Sequence, residues 1–287
     1  IGFKDNQYYD ETKYANLLAR KYNTDHEVFS LSNQDLYENI FEMLDYIDEP
    51  FADSSALAFY ILSKETSKHV KVALSGDGAD ELLGGYRKHM ADYRINGFNS
   101  AAKSLVQSLR MLKYFPQSRS NSTTDKIRKI YRLAQASSMT NKERYLFLSS
   151  FNERDIVDKI LKVQNKNNEL TVRENELTSL ITDNENSLLN VLLSDQSMVL
   201  QGDMLFKVDS MSMANSLEVR PPFLDEKLVE FANSLPDEFK IQKSQAKKIL
   251  RDAFRKDLIP EIIDRPKHGF EVPMDNWIKN ELKNHII

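Results

Sequence analysis

The sequence predicts an α/β protein, with a parallel sheet near the N-terminus and a large, mainly helical part after it. Three observations predict this. Short β-prone runs alternate with helical periods of about 10–15 residues over the first 75 positions, the pattern of βαβ units. A glycine-rich turn directly follows the last of those runs. Most of residues 80–260 then carries helical periodicity with no internal repeat.

Taken in order, Ile1-Gly2-Phe3 reads as the end of a strand. Asp10 is placed to cap a helix whose apolar face is Tyr14, Leu17, Leu18 and Tyr22. His26 to Leu31 is a short strand. Ser32-x-x-Asp35 has the form of a capping box and opens a helix with Leu36, Ile40, Leu44 and Ile47 on one face. Pro50 stops that segment. Asp53 caps the next helix, Ser54 to Lys64, which is apolar nearly all round from Ala56 to Leu62 and is therefore expected to be buried. Val70 to Leu74 is the third strand. Asn165 to Asn168 and Asn184 to Asn186 read as polar loops or helix ends. Asp225 caps a helix bearing Leu228, Phe231, Ala232 and Leu235, and Ala246 to Phe254 forms another. Pro260, Pro266 and Pro273 punctuate the tail. The strands are thus about three, all at the N-terminal end, fewer than an open parallel sheet with both faces covered normally has.

Composition narrows the chemistry. The 287 residues are 41% hydrophobic and 29% charged, an ordinary globular mixture long enough to bury a real core. The chain has no cysteine, which removes thiol nucleophiles, Cys-ligated zinc, iron–sulfur clusters and disulfides. No run approaches the ~18 apolar residues of a membrane span, and the first residues resemble no targeting peptide. The expectation is a cytoplasmic protein with no membrane partner; the missing initiator Met suggests a piece of a longer chain. A net charge of −4 argues against a nucleic-acid partner. The charge is uneven, however: Arg94 to Thr140 holds nine bases and one acid, Asp125. That stretch reads as a solvated face or inserted helical pair, with a polyanion or partner surface as the alternative.

The strongest local signal is Val72-Ala73-Leu74-Ser75-Gly76-Asp77-Gly78-Ala79-Asp80-Glu81-Leu82-Leu83-Gly84-Gly85-Tyr86. Four of the eight glycines fall within ten residues, directly after a strand, where α/β proteins bind ligands and where backbone N–H groups can hold phosphate. It is neither a Walker loop, lacking Gly-Lys-Ser/Thr, nor the Rossmann fingerprint. Three acids in such a turn repel bare phosphate and suit a magnesium ion between carboxylate and phosphate oxygens; a tight turn with a charged helix start is the plainer reading. In a second stretch, Phe206 to Asp225, Lys207, Asp209 and Arg220 lie in an apolar-leaning context, as a structural ion-pair cluster or an anion-binding wall. A third, Asp264-Arg265-Pro266-Lys267-His268-Gly269-Phe270, holds a cation on a loop limited by Pro and Gly, either exposed or placed over phosphates.

Together these stretches resemble the synthetase domain of glutamine-dependent asparagine synthetases. The carriers are Ser75 to Glu81 with Gly84-Gly85-Tyr86, Glu218 to Asp225, Lys267 to Phe270, Asp48-Glu49-Pro50-Phe51 and the Asp53-Ser54-Ser55 helix start. The resemblance covers essentially the whole chain, with its motifs in order. It implies a parallel sheet of the adenine nucleotide alpha hydrolase-like (ATP pyrophosphatase) type, with residues 1–90 as the nucleotide-binding α/β part and 91–287 as the mainly helical part. It implies ATP and Mg²⁺, aspartate as substrate, and a β-aspartyl-adenylate attacked by ammonia from a glutaminase domain. Ile1, Ser75 and Gly76 would contact ATP, Asp80 would bind the Mg²⁺-pyrophosphate, and Asp77 would be the general base near ammonia. Lys267 would stabilise phosphate charge, with Lys207 and Arg220 in support.

The sequence departs from the family at one end. No Ser-Gly-Gly-x-Asp-Ser pyrophosphatase loop occurs, and the Cys-led glutaminase domain is absent. The expectation is a synthetase domain lacking its first strand and that loop, inactive alone. A homodimer is the assembly to test. A related amidotransferase, a β-lactam-synthetase-like ligase and a non-catalytic nucleotide-binding module are the alternatives.

Overall fold

In the computed structural model the described residues are 1–4, 10–117, 122–150, 168–183, 187–243 and 245–265, with isolated positions at 156, 159 and 282–283. The chain forms two compact units: residues 1–78, 199–228 and 250–287 in the first, and residues 79–198 and 229–249 in the second.

The first unit is mixed α/β with small parallel sheets. Strand β1 (Gly2–Phe3) pairs in parallel with β2 (Ser30–Leu31), in the register Gly2 to Ser30 and Phe3 to Leu31. Between them lies α1 (Thr12–Tyr22), whose Thr12 N–H donates to Asp10 Oδ1 at 3.0 Å, the cap expected of Asp10. Only the last two residues of the expected strand 26–31 join the ladder; residues 24–28 are exposed and unpaired in the sheet. The capping box forms as read: Ser32 N–H donates to Asp35 Oδ2 at 2.7 Å and Asp35 N–H to Ser32 Oγ at 3.2 Å, opening α2 (Asn33–Leu44).

Helix α3 (Ser55–Thr66) is the centre of this unit. Ser55, Ala56, Leu57, Ala58, Tyr60, Ile61 and Ser63 are all buried, as its nearly continuous apolar run demands. It packs among Phe3, Leu31, Leu36, Met43 and Met211. At its start Asp53 accepts from the Ser55 N–H at 2.9 Å and from Ser55 Oγ at 2.8 Å.

Strand β3 (Val72–Leu74) pairs in parallel with β4 (Glu218–Arg220), so the strands are not confined to the N-terminal end as expected. A three-residue strand with two charged positions, Glu-Val-Arg, carries no alternation that a sequence reading could separate from loop. Val72 and Leu74, on one face of β3, are 43% and 74% exposed.

The second unit is helical: α4 (Ala79–Leu83), α5 (Arg87–Asn96), α6 (Ser100–Ser108), α7 (Ser122–Ala136), α8 (Asn141–Ser149), α9 (Asn168–Leu177) and α10 (Leu188–Asp195). A 3-10 turn, Leu109–Tyr114, follows α6, and a π-helical stretch, Gln196–Leu205, separates α10 from α11 (Phe206–Met213) of the first unit. Thr140 and Glu143 form a second capping box at α8. One core of this unit is Leu188, Leu192 and Ile241, with Met90 and Tyr93 against it. Helix α12 (Glu226–Ser234) starts as expected at Asp225, whose Oδ1 accepts from the N–H groups of Lys227 and Leu228 at 3.1 and 3.3 Å. Of the apolar residues it bears, Ala232 is buried while Leu228 and Phe231 are 37% and 53% exposed. A short hairpin, β5 (Ile241–Gln242) with β6 (Gln245–Ala246), was likewise not legible. Asn165 to Asn167, Asn184 to Asn186, Pro266 and Pro273 lie outside the described residues. Among the described residues no helix is long and apolar enough to cross a membrane.

Candidate active site

The glycine-rich turn begins at the carboxyl end of β3. Ser75 continues the ladder for one more bond, its N–H donating to the Arg220 carbonyl at 3.0 Å. Its hydroxyl is buried and has no hydrogen-bond partner among the described residues. A buried hydroxyl without a partner costs free energy, so its persistence at a strand end marks a place where a ligand atom can bind. Gly76 is exposed, and a Cβ there would meet nothing within 4 Å. That leaves its backbone open to a ligand. Gly78 has φ +89°, and a Cβ would overlap the Leu224 side chain, so glycine is required there both by conformation and by space. Asp77, half-buried in the same turn, has no ion pair among the described residues. Ile1 is partly buried and packs against the core around α3.

Two other predicted residues of this unit do not form one charged cluster with Asp209, as the second stretch suggested. Lys207 is buried on α11 and its Nζ sits 2.6 Å from Asp53 Oδ2 and 2.9 Å from Ser55 Oγ. Burial raises the Asp53 carboxyl, but Lys207 and the Ser55 bonds outweigh it and hold the group below the ordinary carboxylate value. Lys207 therefore secures the start of α3. Arg220 is exposed, as is Asp209, and the Arg220 side chain pairs with Glu218 at 2.7 Å. The connection of Arg220 to the turn is its carbonyl, not its charge. Lys267 lies outside the described residues.

In the second unit Asp80, on the first turn of α4, pairs through Oδ1 with Lys247 Nζ at 2.9 Å. Gly85 sits against this pair: its N–H donates to the Asp80 carbonyl at 2.8 Å, and a Cβ there would overlap both the Asp80 carboxylate and the Lys247 stem. The second glycine of Gly84-Gly85 thus permits a close approach. Glu81, the third acid of the motif, is 1% exposed and accepts from Tyr86 Oη at 2.5 Å. Burial pushes its carboxyl above the ordinary value. It is a structural acid of this unit, not one of three acids facing phosphate.

Sequence reasoning missed a buried network beneath this helix. Asp195, fully buried on α10, is met by Lys88 Nζ at 2.7 Å, His89 Nε2 at 2.6 Å and Tyr145 Oη at 2.8 Å. Burial raises the Asp195 carboxyl, but His89 and Lys88 outweigh it and bring it down to about 2. Separations of 106 and 107 positions from His89 and Lys88 leave no sequence signal for this cluster, nor for Lys247 opposite Asp80.

Among the described residues, no group of three or more His, Cys, Asp and Glu side chains converges as a metal site. Asp80 is one carboxylate with a cation beside it. That set suits Mg²⁺ held by one carboxylate together with substrate phosphates, and does not form a cage for a resident ion.

A parallel strand thus runs into a glycine turn that carries an orphaned hydroxyl, at the strand end where α/β proteins bind ligands. Residues 1–287 match the family described as Asparagine synthase. The chain belongs to that family. It is 30% identical over 289 residues to asparagine synthetase [glutamine-hydrolyzing] 1 of Bacillus subtilis, covering 100% of this chain and 44% of that protein. It is 31% identical over 242 residues to a putative asparagine synthetase of Mycobacterium bovis, covering 83% of this chain and 35% of that one. Over 105 residues it is 37% identical to a putative asparagine synthetase of Methanocaldococcus jannaschii, covering 37% of this chain and 20% of that one. The chain thus spans less than half the length of these relatives.

Proposed function

We propose that this chain is the larger part of the synthetase domain of an ATP-dependent, amide-forming ligase that makes asparagine from aspartate. The fold would be of the adenine nucleotide alpha hydrolase-like type. The observation that carries the reading is the β3 turn: Ser75 hydrogen-bonded into the β3–β4 ladder, its buried hydroxyl unpartnered, and Gly76 open beside it. Ile1, Ser75 and Gly76 would contact ATP.

In the proposed reaction the β-carboxylate oxygen of aspartate attacks the α-phosphorus of ATP and pyrophosphate leaves. Asp80 would hold the Mg²⁺ that arrives with ATP and neutralises charge on the leaving group, drawing away from Lys247 as it does so. Lys267 would add positive charge on the phosphates. Ammonia from a glutaminase domain outside this chain then attacks the carbonyl carbon of the β-aspartyl-adenylate. AMP leaves, and Asp77 would take the proton that the attacking nitrogen releases. Lys207 supports the site by fixing the start of α3, and Arg220 does so through its carbonyl.

Each parallel sheet among the described residues has only two strands, and Leu74 is left 74% exposed. With no Ser-Gly-Gly-x-Asp-Ser loop in its sequence, the 287-residue chain alone would not make asparagine. The test is ATP–pyrophosphate exchange on the longer protein, with aspartate against other carboxylates. Aspartate-dependent exchange that Asp80→Asn abolishes and Lys267→Ala slows is expected. Normal exchange by Asp80→Asn would refute the metal role, and preference for another carboxylate would refute the substrate.

A further inference from the structure

Helix α4, Ala79–Leu83, is five residues long and carries Asp80. So short a helix has no stability of its own, and contacts outside it set where the Asp80 carboxylate points. Several such contacts hold it within the second unit. The Gly85 N–H donates to the Asp80 carbonyl at 2.8 Å, and the Lys247 N–H to the Leu83 carbonyl at 3.3 Å. Gln196 Nε2 donates to the Glu81 carbonyl at 3.4 Å and to Asn233 Oδ1 at 2.9 Å. One contact joins side chain to side chain: Tyr86 Oη donates to Glu81 Oε1 at 2.5 Å.

Tyr86 is fixed in turn. Its N–H donates to His89 Nδ1 at 3.4 Å, which makes Nδ1 the acceptor and leaves the ring proton on Nε2. That Nε2–H donates to Asp195 Oδ2 at 2.6 Å. The Tyr86 and His89 rings lie 5.3 Å apart, and Lys88 Nζ, paired with Asp195, is 5.8 Å from the centre of the Tyr86 ring. Asp195, His89, Tyr86 and Glu81 thus form one hydrogen-bonded chain that ends on the residue after Asp80. Packing alone does not account for Glu81, which is 1% exposed. An apolar side chain of that volume would fill the space without the cost of burying a carboxyl group. A hydrogen bond adds a direction that apolar packing lacks.

We propose that Tyr86, anchored by His89 and Asp195, is a positioning residue for Asp80: its hydroxyl holds Glu81, and through Glu81 the helix turn that bears Asp80. Glu81 acts through the bond it accepts, and neither residue touches substrate. The inference rests on the assignment of Asp80 proposed above. Partners that orient a ligand carboxylate typically carry about 10–100-fold of affinity or activity.

The test uses the longer protein and aspartate-dependent ATP–pyrophosphate exchange. Tyr86→Phe removes one oxygen and keeps the ring. It should raise the KM for Mg·ATP about tenfold or more and leave the KM for aspartate within about twofold. Glu81→Leu should do the same, and the double variant should be no worse than either single one, because both delete the same bond. Glu81→Gln still accepts from Tyr86 and should recover most of the loss. A further readout needs no ligand. In nucleotide-free Tyr86→Phe, amide hydrogen exchange should quicken about tenfold or more over residues 80–86 and stay unchanged over α7 and α8. Pyrophosphate exchange that survives Asp80→Asn refutes the assignment of Asp80 and this inference with it. Loss of activity in Asp80→Asn beside a normal KM for Mg·ATP in Tyr86→Phe refutes the positioning alone. So does a raised KM for aspartate, which would make these residues substrate contacts, and so does Glu81→Gln as impaired as Glu81→Leu. Faster hydrogen exchange across the whole unit, with the KM for Mg·ATP unchanged, also overturns it, because the bond would then serve stability only.

Discussion

Replacing Asp195 by Asn tests the buried network of the second unit directly. The side chain keeps its shape and loses its charge. Lys88, with only 15% of its side chain exposed, and His89, fully buried, then face a neutral amide in place of a carboxylate. Removing one member of a buried, hydrogen-bonded charge cluster costs about 3–5 kcal/mol, because the remaining charge stays desolvated. The partial exposure of Lys88 lets it turn toward water, so the lower end, about 3 kcal/mol, is expected here. The same network predicts a pH dependence. The Asp195 carboxyl lies at about 2 in the fold against 3.8 ordinarily, so the unfolded state binds the proton more readily. Its contribution, about 2–3 kcal/mol, is fully present above the unfolded value and is lost as pH falls toward 2. Urea unfolding followed by far-UV circular dichroism at neutral pH and across the range from about pH 4 down to about pH 2 measures both. A variant within about 1 kcal/mol of the parent at neutral pH would refute the reasoning, as would a parent–variant difference that does not shrink on acidification.

Three further outcomes follow from other contacts. Lys207→Met leaves the Asp53 carboxylate half-buried without its cation and should cost about 3 kcal/mol, measured by urea unfolding; Lys207→Arg should recover part of it. Gly85→Ala forces a methyl into the Asp80–Lys247 pair and should cost about 1–3 kcal/mol, read as a lower melting temperature. Glu81→Gln runs the other way in pH. The Glu81 carboxyl is raised by burial, so ionising it works against the fold as pH climbs above 4.5. The Gln variant keeps an acceptor for Tyr86 and should be the more stable protein at neutral pH, with the advantage vanishing in acid; equal stability at both would sink that account.

Local chemistry made much of the first unit legible. A capping box is a four-residue event, and Ser32 with Asp35 formed as read. A helix apolar on every side has to be buried, and α3 is. The strand–glycine–helix order by itself places Ser75 at a strand end. Strand β4 was not legible, because its three residues have no periodicity of their own and exist as a strand only through the β3 edge. The Lys207 and Arg220 charges looked alike in sequence. One is buried against Asp53 from 154 positions away and the other is exposed beside Glu218.

The sequence by itself determined the class of protein, the order of its early elements and the family, since these rest on residues close together along the chain. Tertiary structure decided which charges are buried, which acids of the glycine-rich motif face outward, and which partners neutralise them. Glu81 turned inward to Tyr86, Asp80 met Lys247, and Asp195 gathered Lys88, His89 and Tyr145. The physical reason is that desolvation and pairing depend on distance in space, and the pattern along the chain does not encode which charged side chains are taken out of water or which partners meet them there.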